Sequence, residues 1–204
     1  MKIKVCGLKF PDNIREIDGL KIEYLGFIFY EKSPRFIDRS MYPEIANIVT
    51  SADKAGVFVN KGYEQIIEIM ESCKLNLVQL HGEEPVELCM RLQKDGYKVC
   101  KVFSIANKYD FEKCKAYEPY CEFFLFDTKC PEAGGCGKQF DWSLLEYYKG
   151  ECPFMLSGSI SPQSSDMLKS ITHPQFTGID LNSRFESSYA LKDLTLLKNF
   201  LSKI

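Results

Sequence analysis

Short apolar runs alternate with stretches whose apolar positions recur every three or four residues. The runs fall at residues 2–6, 24–29, 55–59, 76–80, 98–103, 122–127, 153–157 and 177–181. Each is dense in Val, Ile, Leu or aromatic residues, as strands covered on both faces are. Between them, residues 63–73 place Ile66, Ile67, Met70 and Cys73 on one helical face. Residues 84–94 set Pro85 near a first turn, with Leu88, Cys89 and Leu92 on the buried side. Ser161-Pro162 reads as the N-cap and first residue of a seventh helix. Asp193 reads as the N-cap of the last, whose Leu196, Leu197, Phe200 and Leu201 face the sheet.

Strand and helix alternating eight times predicts an α/β fold with parallel strands and right-handed crossovers. Eight units can close into a (β/α)8 TIM barrel, and 204 residues suffice if the loops are short. An open doubly wound sheet is the alternative and needs fewer units. No linker-like stretch divides the chain, so residues 1–204 read as a single domain. In a barrel, chemistry collects at the carboxyl ends of the strands. Those ends carry Cys6, Tyr30, Asn60, His81, Ser104, Asp127, Ser157-Gly158 and Asn182-Ser183, nearly all polar or reactive.

Composition narrows the partners. The formal net charge is −2, so there is no basic footprint for nucleic acid. No apolar run nears the roughly 20 residues that span a bilayer, so no membrane partner is expected. Met1-Lys2-Ile3-Lys4-Val5-Cys6 enters a strand directly, without the apolar core of a signal peptide, which makes a cytoplasmic location the expectation. Nine cysteines include no Cys-x-x-Cys pair, and there are only two histidines, so a structural zinc site is not expected. Most of these cysteines read as reduced, small core hydrophobes.

The stretch from Phe123 to Trp142 concentrates the chemistry. A buried strand ends in Asp127, and a loop with Gly134, Gly135 and Gly137 follows. Glycines let backbone N–H groups approach an anion closely. A carboxyl in a partly dry pocket can hold a proton for acid catalysis, though Asp127 could equally cap a helix or pair with a cation. Cys6, followed by Gly7, is a base or nucleophile if its pKa is lowered, and otherwise a buried apolar thiol. Arg35 in Glu31-Lys32-Ser33-Pro34-Arg35-Phe36 could clamp a carboxylate or lie in solvent. Alternation turns Gln79 and His81 inward together, His81 as a site hydrogen-bonder or a structural histidine. Glu83 and Glu84 read as favouring the fourth helix's N-terminus. Ser157-Gly158-Ser159 and Asn182-Ser183-Arg184 occupy the loops after strands seven and eight, the usual phosphate site of such barrels.

Taken in order, Lys4-Val5-Cys6-Gly7, Gly26-Phe27-Ile28-Phe29, Ser33-Pro34-Arg35-Phe36 and Gly56-Val57-Phe58-Val59-Asn60 form the first half of a series. Val78-Gln79-Leu80-His81-Gly82-Glu83, Asp127-Thr128-Lys129, Gly134-Gly135-Cys136-Gly137, Phe140-Asp141-Trp142, Leu156-Ser157-Gly158 and Lys192-Asp193 continue it. Together they resemble the phosphoribosylanthranilate isomerase family of tryptophan biosynthesis. The resemblance implies an Amadori rearrangement of N-(5-phosphoribosyl)anthranilate, a small phosphorylated substrate. Asp127 would be the general acid toward the furanose ring oxygen and Cys6 the base that takes the sugar C2 proton. Arg35 would bind the anthranilate carboxylate, with Gln79 and His81 also lining the substrate site. Gly135, Gly137, Ser157, Gly158, Ser159, Asn182, Ser183 and Arg184 would hold the phosphate. No metal or organic cofactor is implied, because the substrate nitrogen is the electron sink. The family includes monomers and homodimers, and nothing in the sequence chooses between them.

Two departures fall in the phosphate cradle. The family commonly has Gly-Gly where this chain has Gly158-Ser159, and Ser-Ser-Gly where it has Asn182-Ser183-Arg184. A histidine-pathway phosphosugar isomerase is the near rival, but it places an aspartate where Cys6 stands. A non-catalytic barrel binding a phosphorylated ligand has no need of both Cys6 and Asp127. Strand parity adds a structural expectation: Lys4, two before Cys6, and Asp180, two before Asn182, form a buried ion pair beneath the site.

Overall fold

The computed structural model describes residues 1–128 and 141–204. Eight parallel strands close into a barrel in chain order: β1 Lys2–Val5, β2 Tyr24–Ile28, β3 Asp53–Phe58, β4 Leu77–Leu80, β5 Lys98–Ile105, β6 Phe123–Thr128, β7 Phe154–Leu156 and β8 Phe176–Leu181. β8 closes against β1 with Lys4 opposite Asp180. This is the (β/α)8 architecture that the alternation predicts, and the open sheet is excluded.

Register explains why the strands read as unbroken apolar runs. Alternate residues point into the barrel, where Tyr24, Ala55, Leu77, Cys100, Val102, Phe123, Leu125 and Met155 form a compact interior cluster. The intervening residues, among them Val5, Phe27, Val78, Phe124, Phe126, Phe154 and Leu181, join a larger cluster under the helices. Both faces are therefore dry. Continuing the inward series to the strands' carboxyl ends brings up Cys6, His81, Asp127, Ser157 and Asn182, so one parity rule aims all five at the same mouth.

The helical layer is uneven. α1 Pro11–Asp18, α2 Tyr42–Asn47, α3 Tyr63–Cys73, α4 Val86–Lys94, α5 Ser165–Lys169 and α6 Leu194–Leu201 are α-helical. Asp193 caps α6, accepting from Leu196 N at 2.8 Å, and Ser161 precedes the turn that leads into α5, both where expected. Among the described residues, the fifth and sixth crossovers instead carry 3₁₀ segments, Lys108–Ala116 and Trp142–Tyr147. Their buried residues recur every three positions, Phe111 with Cys114 and Trp142 with Leu145 and Tyr148. That spacing suits a helix of three residues per turn.

A short antiparallel hairpin, β9 Glu186–Ser188 and β10 Leu191–Lys192, follows β8 and has no counterpart in the predicted pattern. Its turn passes through Ala190 at φ 65°. Asn13 of α1 pins it with two bonds: Asn13 Nδ2 donates to Lys192 O at 3.0 Å, and Lys192 N donates to Asn13 Oδ1 at 2.8 Å.

Candidate active site

The predicted ion pair is present. Lys4 Nζ lies 2.8 Å from Asp180 Oδ2 inside the barrel, and both side chains are buried. Burial works against the Lys4 ammonium, but Asp180 and Cys6 together more than offset it and hold the pKa above the usual lysine value. Cys6 sits directly above, itself buried. A Cβ on Gly26 would lie 2.7 Å from Cys6 Sγ and 3.0 Å from Lys4 Nζ, so the missing side chain at Gly26 makes room for thiol and ammonium together.

A second cationic group borders Cys6 from the hairpin. Glu186 takes Arg35 in a fork, from Nε at 2.8 Å and from Nη2 at 2.6 Å. The same carboxylate accepts from Lys192 Nζ at 2.6 Å, and Lys192 also donates to Asn182 Oδ1 at 2.7 Å. Gly7, at φ 76°, threads between them: a Cβ there would meet Arg35 Cδ at 2.5 Å and Asn182 Oδ1 at 2.7 Å. Arg35 is thus buried, not solvated, and already engages a carboxylate of the chain. Tyr189 covers it, with the guanidinium carbon 5.3 Å from the ring centroid.

These charges act on the thiol. Burial pushes the Cys6 pKa up, Lys4 and Lys192 pull it back, and Asp180 pushes it up again; the net direction is upward. Burial thus favours the Cys6 thiol, while the Lys4 and Lys192 ammonium groups favour its anion.

Asp127 stands two strands away from β8 around the barrel wall and in a different setting. Its Oδ1 accepts from Thr128 N at 2.7 Å, and its Oδ2 lies 3.3 Å from His81 Nε2. The Asp127 and His81 side chains are 21% and 33% exposed, so this side of the mouth is open. Gln79 Nε2 lies 3.4 Å from His81 Nδ1, making a row Gln79–His81–Asp127. Gly158, at φ 82°, packs against it; a Cβ there would be 2.5 Å from Asp127 Oδ1.

Ser157, Gly158 and Ser159 leave β7 half-buried, with Ser159 at φ 58°. Asn182 turns its Oδ1 toward Lys192 and Gly7, while Ser183 and Arg184 are exposed. Gly135 and Gly137 lie outside the described residues. Glu84 departs from its expected place at a helix terminus. It is buried and braces two loops, accepting from Asn60 N at 2.8 Å, Gly82 N at 3.0 Å and Lys101 Nζ at 3.0 Å. Asn60 belongs to that brace, its Oδ1 accepting from Glu83 N at 2.8 Å. Sequence reasoning missed Glu186 and Tyr189, and it quoted Lys192 without giving it a place at the site. Among the described residues, no three His, Cys, Asp or Glu side chains are grouped so as to hold a metal ion.

A family model described as N-(5'phosphoribosyl)anthranilate (PRA) isomerase matches residues 3–203. The chain is 50% identical over 206 residues to an N-(5'-phosphoribosyl)anthranilate isomerase of Parabacteroides distasonis, covering all of this chain and 93% of that protein. It superposes on the phosphoribosyl anthranilate isomerase of Thermotoga maritima with a TM-score of 0.85 at 31% identity, covering 100% and 98% of the two chains. A further isomerase structure, holding reduced 1-(o-carboxyphenylamino)-1-deoxyribulose 5-phosphate, matches with a TM-score of 0.81 at 28% identity, over 100% of this chain and 97% of that one.

Proposed function

The chain belongs to the phosphoribosylanthranilate isomerase family, and from that premise we propose how its residues divide the work. The reaction is the aldose-to-ketose rearrangement of N-(5-phosphoribosyl)anthranilate in tryptophan biosynthesis. Asp127 gives a proton to the furanose ring oxygen. The C1–O bond breaks as the nitrogen lone pair forms the C1=N iminium. Cys6, as thiolate, takes the C2 proton, and the released pair moves through C1 to nitrogen, giving the enolamine. Loss of the 2-hydroxyl proton and protonation at C1 yield 1-(2-carboxyphenylamino)-1-deoxyribulose 5-phosphate. One proton leaves Asp127 and one arrives on Cys6, and exchange with water restores both.

The observation that carries this reading is the asymmetry of the mouth: a buried thiol between the Lys4 and Lys192 ammonium groups, facing a carboxyl whose neighbours among the described residues are uncharged or switchable. A thiolate needs cations and an acid needs freedom from them. Arg35, held side-on by Glu186, turns its remaining N–H donors to the anthranilate carboxylate. The loops Ser157–Ser159 and Asn182–Arg184 supply phosphate contacts, and Gly135 and Gly137 add to them. We read residues 1–204 as one domain acting in the cytoplasm, as monomer or homodimer, which sedimentation equilibrium distinguishes. No helix among the described residues is long and apolar enough to cross a membrane.

Cys6→Ala and Asp127→Asn test the assignment. Each is expected to lower kcat by about 10²- to 10⁴-fold, the usual weight of a general acid or base, while a reduced product analogue still binds. Full activity in Asp127→Asn would remove the acid from Asp127.

A further inference from the structure

An acid keeps its proton until the ring oxygen takes it, and Asp127 already meets one donor, Thr128 N, at Oδ1. Its other oxygen faces His81 Nε2 at 3.3 Å, a span of the kind that tightens when substrate binds. If Nε2 carries hydrogen, both oxygens face donors and the carboxylate is favoured. If Nε2 presents its lone pair, Oδ2 can keep a proton. A neutral imidazole carries hydrogen on one nitrogen at a time, and the contact at the other nitrogen selects which.

That contact is Gln79. Its amide stands 3.4 Å from His81 Nδ1, the residue is only 1% exposed, and its Oε1 is buried without a hydrogen-bond partner. A carboxamide is a donor at one end and an acceptor at the other, and half a turn about its last side-chain bond exchanges them. With the NH₂ toward Nδ1, the imidazole hydrogen sits on Nε2 and points at an Asp127 carboxylate. With Oε1 toward Nδ1, the hydrogen sits on Nδ1, Nε2 accepts, and Asp127 retains its proton. The second arrangement gives the orphaned oxygen a partner and moves the NH₂ to the position the oxygen leaves.

We propose that Gln79 and His81 are positioning residues that set the proton on Asp127, Gln79 through the orientation of its amide and His81 through the nitrogen that bears its hydrogen. This rests on Asp127 being the acid, and it gives both residues a task other than touching substrate. The proton count closes. Asp127 yields its proton to the ring oxygen. The His81 hydrogen then passes from Nδ1 to Nε2 by exchange with water, which reaches a side chain that is one-third exposed. Both steps reverse when Asp127 is reprotonated.

His81 and His173 are the only histidines, so the nitrogen spectrum of histidine-labelled protein is simple and His173→Asn assigns it. In the substrate-free enzyme His81 is expected as the Nδ1–H form. In Gln79→Met, which preserves volume and removes both hydrogen-bonding ends, the hydrogen should move to Nε2. The same variant should lose about ten- to a hundredfold in kcat, with KM and product-analogue affinity changed less than about twofold. An Nε2–H form in wild type that Gln79→Met leaves unmoved would overturn the proposal. So would a higher KM with kcat intact, the mark of a substrate contact. Full turnover in Asp127→Asn would fail the acid assignment alone, and a Gln79-dependent change of nitrogen would still support the relay.

Discussion

The two sides of the barrel mouth solve opposite problems with opposite materials. Around Cys6 the groups are ionic, buried and locked: Lys4 on Asp180, and Arg35 with Lys192 on Glu186. Around Asp127 the described groups are amide, imidazole and backbone N–H, partly open to water. A thiol that must be an anion before it can take a proton needs fixed positive charge in a dry site, because burial alone pushes its pKa up. An acid that must be neutral beforehand and charged afterwards gains from partners that can donate or accept. Fixed charge suits one protonation state and an amide–imidazole row suits two. Substitutions can disturb either side, and the ionic side should suffer more.

Lys4→Met carries the largest expected effect on stability. It leaves Asp180 buried beside apolar neighbours with no ammonium, a change that usually costs about 3–5 kcal/mol. Asp180 already lies above its usual pKa through burial, with Lys4 opposing the rise. Without Lys4 that rise grows. A folded pKa above the unfolded one gives stability that is complete below the unfolded pKa and lost as pH climbs through the folded one. Lys4→Met should therefore be closest to wild type in acid and weakest near neutrality, as read by urea unfolding across pH. Adding Asp180→Leu should recover most of the loss. A neutral-pH cost below about 1 kcal/mol would mean that water reaches the pair.

Lys192→Met is the gentler probe, because Glu186 keeps its fork on Arg35. Lys192 pulls the Cys6 pKa down, so its removal leaves the thiol higher still. The low-pH limb of kcat/KM should move to higher pH, and iodoacetamide labelling of Cys6 should move with it. Below its pKa, a thiol loses about tenfold in thiolate fraction for every tenfold weakening of its acidity, which corresponds to about 1.4 kcal/mol. If turnover falls while the labelling profile stays put, Lys192 acts on substrate and not on the thiol.

The legible parts of this molecule were those that follow from period and parity. Eight apolar runs gave eight strands, and counting by twos along β1 and β8 was enough to place Lys4 against Asp180. The same counting put Cys6, His81 and Asp127 at one mouth. What escaped was contact between distant segments without a periodic signature. Glu186 meets Arg35 across 151 residues, from a three-residue strand reading Glu-Ser-Ser that no pattern marks as structured. The fifth and sixth crossovers carried a signal in Phe111/Cys114 and Trp142/Leu145/Tyr148, a period of three too short to tell from an irregular α-helical face. Gly158 was legible as a candidate phosphate-loop glycine, but not as the residue whose missing side chain lets Thr128 and Asp127 close up behind it.

The smallest expected effect lies in that same loop. Ser159 follows Gly158 and holds φ 58°, in the left-handed region where a side chain costs roughly 1 kcal/mol relative to glycine. Gly158 at φ 82° and Ser159 form two consecutive left-handed residues, and this chain fills the second with a strained serine. Ser159→Gly should then stabilise the fold, by somewhat less than the strain because glycine also loosens the unfolded chain. The loop's backbone N–H groups would stay where they are. If they alone meet the phosphate, affinity for inorganic phosphate and for a product analogue should hold within about twofold. If the Ser159 hydroxyl is itself a phosphate donor, affinity should fall about tenfold, the weight of a hydrogen bond to a charged group. Calorimetric titration beside thermal unfolding of the one variant separates the two. A gain in Tm with unchanged affinity would assign the phosphate contact of this loop to its backbone N–H groups and leave the Ser159 hydroxyl without a part in it.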